Sequence, residues 1–243
     1  MSRTTANRYQ IIDALRGSAI GLMIIYHFCF DLNYFGHVQL NFNHDPFWLG
    51  FRTLIVSLFL LTMGFSLQLA HAEQINAAKF LRRLGLIAGA AILVSLSSYL
   101  MYPKSMIFFG VLHFIAVASI FGLAFLNVFY IKLIIGVLIL LLSMNLSHPW
   151  FNQPALQWLG LMTHKPITED YVPVVPWMGV VLIGMFLAHW LSRRPQAPKW
   201  IRWQSQHSLA RTLSFGGQHS LIIYLLHQPV LLGGLYLITQ LVK

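Results

Sequence analysis

Seven apolar stretches, each about 20 residues long, limit what this 243-residue chain can fold into. A helix needs about 20 mostly apolar residues to cross the roughly 30 Å hydrocarbon core of a bilayer. Charged residues make up 9% of the chain, against about 25% in soluble domains, which excludes an ordinary soluble enzyme. The sequence therefore predicts an all-α integral membrane protein, a polytopic bundle of about seven transmembrane helices. The stretches run near 10–33, 47–70, 82–101, 106–126, 128–146, 172–191 and 219–241.

The division of the fourth and fifth stretches rests on two polar residues, Asn127 and Lys132, which offer a turn inside one long apolar run. The first stretch contains Asp13 and Arg16 and lacks a small-residue cleavage site, so we expect a retained span rather than a signal peptide. No internal repeat and no separate soluble segment is visible. We expect a single transmembrane domain over residues 1–243.

Basic residues are distributed unevenly between the predicted loops, which predicts the orientation of the chain. Cytoplasmic loops of membrane proteins carry an excess of Lys and Arg. With the N-terminus in the cytoplasm, the opposite face holds only Lys104, Lys165 and Lys243. We therefore predict a cytoplasmic N-terminus and an external C-terminus, and the formal charge of +10 no longer indicates nucleic acid. The bases on the cytoplasmic side are Arg3, Arg8, Lys79, Arg82, Arg83, Lys132, Arg193, Arg194, Lys199, Arg202 and Arg211.

The first span carries four ionisable residues, and such groups inside a membrane usually face the protein interior and often mark function. Asp13 and Arg16 are three residues apart and share a helix face, so an ion pair is available to them. His27 and Asp31 are four apart on the same face, as in a general base with the carboxylate that orients it. Each pair also has a purely structural interpretation. Asp13 and Arg16 could only stabilise the cytoplasmic end of the helix, and His27 and Asp31 could only form an intrahelical hydrogen bond.

Other polar residues in or beside the later spans are candidates for the same cavity. Arg52 lies in the second span, His113 in the fourth and His227 in the seventh, and Asp170 precedes the sixth. The alternative for each histidine is an interhelical hydrogen bond without catalysis. No cysteine cluster, phosphate-binding glycine loop or metal-binding motif is present in the sequence, so we predict no metal.

Four segments resemble, in the same order, a bacterial membrane family named after the catalytic domain of lysosomal heparan-α-glucosaminide N-acetyltransferase. They are RYQIIDALRGSAIGLMIIYHFCFDLNYFG, FFGVLHFIAV, DYVPVVPWMGVVLIG and GGQHSLIIYLLHQPVL. The resemblance runs from residue 8 to about residue 232, nearly the whole chain. It implies a multi-pass acyltransferase of the bacterial inner membrane that takes an acetyl group from cytosolic acetyl-CoA and delivers it to a sugar or glycan on the other face.

The resemblance also implies roles for individual residues. His27 is the preferred catalytic residue, with Asp31 as its partner. In the lysosomal enzyme the position of His27 is Asn and its catalytic His falls near His37, so His37 is the second candidate. The expected partners are acyl-CoA, the acceptor and membrane lipid, without nucleic acid, and a homodimer is left open. Arg16, His219, Tyr224 and His227 would bind acyl-CoA, and Arg52, His113, Asp170 and Trp177 would line the acceptor side.

Two other functional classes fit the same polar residues. A proton-coupled transporter or flippase would use intramembrane His and Asp as a relay. A membrane cytochrome would use histidines on different spans as axial haem ligands. Flux into liposomes without acyl-CoA would indicate the first, and a Soret absorption band would indicate the second.

Overall fold

The computed structural model describes residues 9–71, 75–196 and 198–241, and the chain in these ranges is helical. No strand occurs there, and the only β-type pairing is one isolated parallel bridge between Phe109 and Tyr171. The predicted all-α membrane fold is confirmed. The helices are α1 (Gln10–Tyr34), α2 (Pro46–Ala70), α3 (Ala77–Met101), α4 (Val111–Leu123), α5 (Tyr130–Ser143), α6 (Val174–Ser192), α7 (Ser208–Gln218) and α8 (Ser220–Leu241).

Five of these helices, α1, α2, α3, α6 and α8, are long and apolar enough to cross a membrane. The predicted bounds of those five spans agree with the observed helices to within a few residues. The two remaining apolar helices are shorter than predicted, with 13 residues in α4 and 14 in α5. At 1.5 Å per residue each extends only about 20 Å.

The late start of α4 is explained by the contacts of the residues that precede it. The expected span began at residue 106, but residues 103–105 form a 3₁₀ turn and Phe109 pairs with Tyr171. Asp170 then accepts a hydrogen bond from the backbone N–H of Val111 at 2.8 Å, which satisfies one free donor at the helix N-terminus. The apolar residues before Gly110 are therefore held outside the helix by partners some 60 residues further along.

The chain forms two compact units, and the first combines the described residues of Met1–Phe59 and Gln196–Lys243. In this unit α1 contacts both α7 and α8. The crossing of α1 and α7 brings their backbones together: a Cβ atom on Gly17 would lie 1.8 Å from the Leu213 carbonyl oxygen, and one on Gly217 would lie 1.9 Å from that of Asp13. Small residues permit such close approach between helices in membranes.

An aromatic cluster covers the C-terminal half of α1 in the same unit. Tyr26 and Phe42 are buried there, and their ring centroids lie 5.4 Å apart in an edge-to-face arrangement. Trp48 from the first turn of α2 completes the cluster at 4.5 Å from Phe42. These contacts fix the loop between α1 and α2 against α1.

The second unit comprises Leu60–Pro195 and is built around α6. Val181, Leu182 and Met185 of this helix are fully buried. Close glycine contacts recur here, since a Cβ atom on Gly64 would lie 2.2 Å from the Val181 carbonyl oxygen and one on Gly184 would lie 2.2 Å from that of Leu61. Helix α6 also packs against α4 and α5.

Candidate functional site

A polar cluster lies at the N-terminal end of α1, where that helix meets the end of α7. Asp13 is 5% exposed, and its carboxylate lies 3.5 Å from the Arg16 guanidinium, so the ion pair expected from their spacing is present. Arg16 also donates to the carbonyl of Gly217 at 3.4 Å, and the Gln218 side-chain amide donates to Asp13 at 3.4 Å. The cluster therefore contains an ion pair within α1 and also hydrogen bonds that connect α1 to α7.

A cavity of about 740 Å³ opens beside this cluster. Its wall includes the first turns of α7, whose N-cap residue His207 makes no side-chain cap hydrogen bond. Backbone N–H groups at such a helix start favour anions, and the Arg211 guanidinium adds a donor fork suited to phosphate. The lining residues are Gln10, Asp13, Gln206, Ser208, Arg211, Thr212, Ser214, Phe215 and Gln218.

A second polar cluster lies further along α1, and we call its four residues, His27, Asp31, His227 and Gln228, the histidine cluster. The first two belong to α1 and the other two to α8. The rings of His27 and His227 meet edge to face with centroids 4.9 Å apart. Asp31 is 1% exposed, and one of its oxygens accepts a 2.8 Å hydrogen bond from the Gln228 amide.

The partners of the histidine cluster differ from those that the spacing predicted. We expected Asp31 to hold the ring of His27, but within the described chain no hydrogen bond joins them. Instead, the Gln228 amide donates a hydrogen bond to Asp31, and the ring of His27 contacts the ring of His227. The α-helical period places the two α1 residues on one face, whereas their actual partners come from α8, nearly 200 residues later.

The other residues predicted for the donor and catalytic roles lie elsewhere in the first unit. His37 is exposed and its Nε2 lies 3.2 Å from the Thr239 hydroxyl of α8. His219 is exposed at the junction of α7 and α8, with its ring 4.2 Å from that of Phe215. Tyr224 contributes its backbone carbonyl, which accepts a 2.5 Å hydrogen bond from His227 Nδ1. Tyr224 and His227 therefore contact each other.

The three residues predicted for the acceptor side in the second unit have different surroundings. Both ring nitrogens of His113 have partners, since Nδ1 accepts from the Gly110 N–H at 3.2 Å and Nε2 lies 3.1 Å from the Ser95 hydroxyl. Asp170 caps α4, and Trp177 is half-buried in α6. These contacts support structural roles for His113 and Asp170, and their acceptor-binding roles stay predictions. The fourth residue, Arg52, belongs to the first unit and contacts the Tyr26 hydroxyl.

Several polar residues that the structure brings into these clusters were not predicted. Gln218 and Gln228 carry no charge and are not among the predicted site residues, although Gln228 lies within an apolar helix, where a glutamine indicates a polar partner. Arg211 is predicted as one of the cytoplasmic basic residues and not singled out among them, and in the structure it lines the cavity. Lys132, which is expected in a turn on the cytoplasmic side, instead lies fully buried in the first turn of α5.

The fold and the clusters define a polytopic membrane protein with a histidine-containing polar site within its spans. A family model described as heparan-alpha-glucosaminide N-acetyltransferase, catalytic, matches residues 8–229. The chain belongs to this family, and the family indicates a transmembrane acetyltransferase. No curated protein and no solved structure shows a significant match. Among the described residues no group of three His, Cys, Asp or Glu side chains could hold a metal ion.

Proposed function

We propose that the protein transfers an acetyl group from cytosolic acetyl-CoA to a hydroxyl or amine of a sugar or glycan at the opposite face of a bacterial inner membrane. The observation that carries the proposal is the contact between His27 and His227, two imidazoles on separate membrane-spanning helices. A general base in such a position contributes about 10²–10⁴-fold to a rate. The family membership supplies the reaction class.

The cavity beside α7 supports the position of the donor. Arg211 and the start of α7 offer donors for the phosphates of CoA, and Arg16 lies next to this cavity through its pair with Asp13. From Arg16 to His27 is eleven residues, or about 16 Å along the helix at 1.5 Å per residue. In this proposal the pantetheine arm covers that distance, which brings the thioester to the histidine cluster.

The proposed direction of transfer follows from the charges. The basic residues around α7 favour the cytoplasmic side for the cavity, and α1 then carries the histidine cluster toward the external side. Neither competing class gains support from the site. The edge-to-face contact of His27 and His227 leaves no room for a haem plane between these two rings, and the described helices supply no observation that favours a transporter.

Turnover by purified protein tests this function. Protein in lipid nanodiscs is incubated with acetyl-CoA labelled in the acetyl group and with glucose, glucosamine or N-acetylglucosamine, and products are measured by mass spectrometry. We expect an acetylated sugar from wild type and a loss of about 10²-fold or more when both imidazoles of the contact are removed in the double variant His27→Ala/His227→Ala. His44→Ala is the control, because His44 is exposed in the loop between α1 and α2. Equal turnover by His27→Ala/His227→Ala and His44→Ala would contradict the role of this cluster.

The variant Arg211→Ala tests the proposed binding position of acetyl-CoA. Loss of charge-assisted hydrogen bonds to phosphate, each contributing about 1.5–3 kcal/mol, should raise the KM for acetyl-CoA about tenfold or more. The matched control is Arg202→Ala, which removes the same charge from an exposed residue that does not line the cavity. If both variants raised the KM equally, the effect would come from general surface charge and not from a donor site.

A further inference from the structure

Three buried polar atoms of the histidine cluster have no hydrogen-bond partner among the described residues. They are Asp31 Oδ2, His227 Nε2 and Gln228 Oε1. Unpartnered buried polar groups are rare because each costs free energy relative to water. Only one further side-chain atom of the described residues, His71 Nδ1, has the same status. The cluster therefore concentrates an energetic cost that a bound ligand would remove.

All three atoms are hydrogen-bond acceptors: the carboxylate oxygen of Asp31 accepts, and the geometry decides the other two. The Tyr224 carbonyl can only accept, so the 2.5 Å contact requires the proton of neutral His227 on Nδ1. The lone pair of His227 is then on Nε2. The amide nitrogen of Gln228 donates to Asp31, so the orphan atom of Gln228 is its carbonyl oxygen. A ligand that satisfies this cluster must carry several O–H or N–H groups.

We infer that His227, through Nε2, is the general base of the acetyl transfer, and that Asp31 and Gln228 bind neighbouring O–H or N–H groups of the acceptor. This inference rests on the proposed function and assigns the catalytic and acceptor-binding roles to individual residues. It fits a polyol or an amino sugar and disfavours a phosphate or carboxylate at this position, because an anion would face three acceptor atoms. His27 becomes a positioning residue, whose ring packs against that of His227.

The chemical step balances with these groups alone. Nε2 of His227 takes the proton from the acceptor hydroxyl or amine as its oxygen or nitrogen attacks the thioester carbonyl carbon. The carbon–sulfur bond then breaks and the acetyl group stays on the acceptor. The leaving CoA thiolate takes the proton from the imidazolium, which returns as the neutral ring. The Tyr224 carbonyl holds Nδ1–H throughout, and this bond strengthens while the ring is charged.

Kinetics of paired variants distinguish the base from its neighbour. With acetyl-CoA and glucosamine, His227→Gln should lower kcat by about 10²–10⁴-fold, because glutamine cannot take a proton. His27→Gln should retain clearly more activity, since it removes packing and not the accepting atom. Asp31→Ala and Gln228→Ala should raise the KM for glucosamine at least tenfold and leave the KM for acetyl-CoA unchanged. His44→Gln serves as the control.

A second measurement tests the accepting atom without turnover. Protein labelled with ¹⁵N-histidine in nanodiscs, with His227→Gln used for assignment, should give a His227 signal with Nδ1 protonated and Nε2 unprotonated. Protonation at Nε2 would overturn the inference, as would His227→Gln activity within tenfold of wild type. An inactive wild type would instead overturn the proposed function and the inference with it, so the two failures are distinguishable.

Discussion

Lys132 shows how a buried ammonium group can be satisfied by neutral acceptors, without a carboxylate among the described residues. Its ammonium group is fully buried and has three acceptors for its three protons. They are Gln68 Oε1 at 2.6 Å, the Leu126 carbonyl at 3.3 Å and His189 Nδ1 at 2.9 Å. Three well-placed neutral acceptors thus replace an ion pair, and they tie together α2, α5, α6 and the turn before α5.

Removal of this amine should destabilise the protein. Lys132→Ala leaves the buried Gln68 acceptor without its donor, at about 1–3 kcal/mol, and also removes the contact with the part-buried His189. We expect a clear fall in the Tm measured by circular dichroism in nanodiscs. Lys104→Ala, at an exposed position, is the matched control and should leave the Tm unchanged. If the two variants had equal Tm values, the three contacts of Lys132 would not contribute to stability.

Burial also affects the titration of Tyr171, which lies in the segment before α6. Burial raises its pKa to about 12, from an ordinary value of 10.0, and its hydroxyl donates to the Gln157 carbonyl at 2.6 Å. The folded protein keeps this proton between pH 10 and 12, where the unfolded chain loses it. The contribution of Tyr171 to stability is therefore present below pH 10 and is lost as the pH rises toward 12.

The absorbance of tyrosinate at 295 nm checks this value. The titration curve of wild type minus that of Tyr171→Phe isolates one tyrosine, and its midpoint should lie well above pH 10. Tyr130→Phe, at an exposed position, gives the reference curve for an accessible ring. A difference curve for Tyr171 centred at pH 10 would contradict the burial of its hydroxyl.

The sequence allowed the ionisable members of both clusters to be predicted, because charged residues are scarce in apolar spans. Asp13 and Arg16 meet as their spacing implies. The partner of Asp31 could not be predicted in this way, since a helical period defines a face and not the residue that packs against it. Gln228 comes from α8, and only the packing of that helix on α1 brings it within reach.

At the scale of elements, the crossing of α1 and α7 depends on the missing side chains of Gly17 and Gly217. Even a methyl group at Gly17 would overlap the Leu213 carbonyl. A backbone atom cannot rotate away as a side chain can, so one of the helices must move. The same crossing forms one wall of the proposed donor cavity, because Asp13, Ser214 and Gln218 of these helices line it.

Two alanine substitutions on α1 should therefore have opposite effects. Alanine normally stabilises a helix by about 0.5–1 kcal/mol relative to glycine, and Gly21→Ala should follow this rule because nothing lies within 4 Å of its new Cβ atom. Gly17→Ala should lower the Tm and increase amide hydrogen exchange in α7. Protection of α7 equal to that of wild type would show that the crossing tolerates the methyl group.

The apolar pattern predicted the long helices well and the short ones poorly. Continuous apolar sequence locates a span, and the actual ends of the helix depend on caps and pairings that the pattern does not contain. For α4 these are the Asp170 cap and the bridge at Phe109. Both partners lie in the segment before α6, which has no hydrophobic period of its own.

At the scale of the whole molecule, the basic residues predict an orientation that labelling can test. In a Cys29→Ser background, Asn43→Cys and Arg202→Cys place single thiols in the loop after α1 and in the basic segment before α7, both at exposed positions. In intact bacterial cells treated with a membrane-impermeant maleimide, we expect Asn43→Cys to react and Arg202→Cys to react only after lysis. The reverse pattern would place the donor cavity outside and contradict acetyl-CoA as the donor.

The bond between Gln228 and Asp31 joins residues 197 positions apart, which has a consequence for biosynthesis. A ribosome adding about 5–20 residues per second needs about 10–40 s to make the intervening chain. During that interval the first helix resides in the bilayer with its acidic group lacking the amide that later holds it. Chains released before the last helix is complete would retain the two α1 residues of the histidine cluster without their α8 partners.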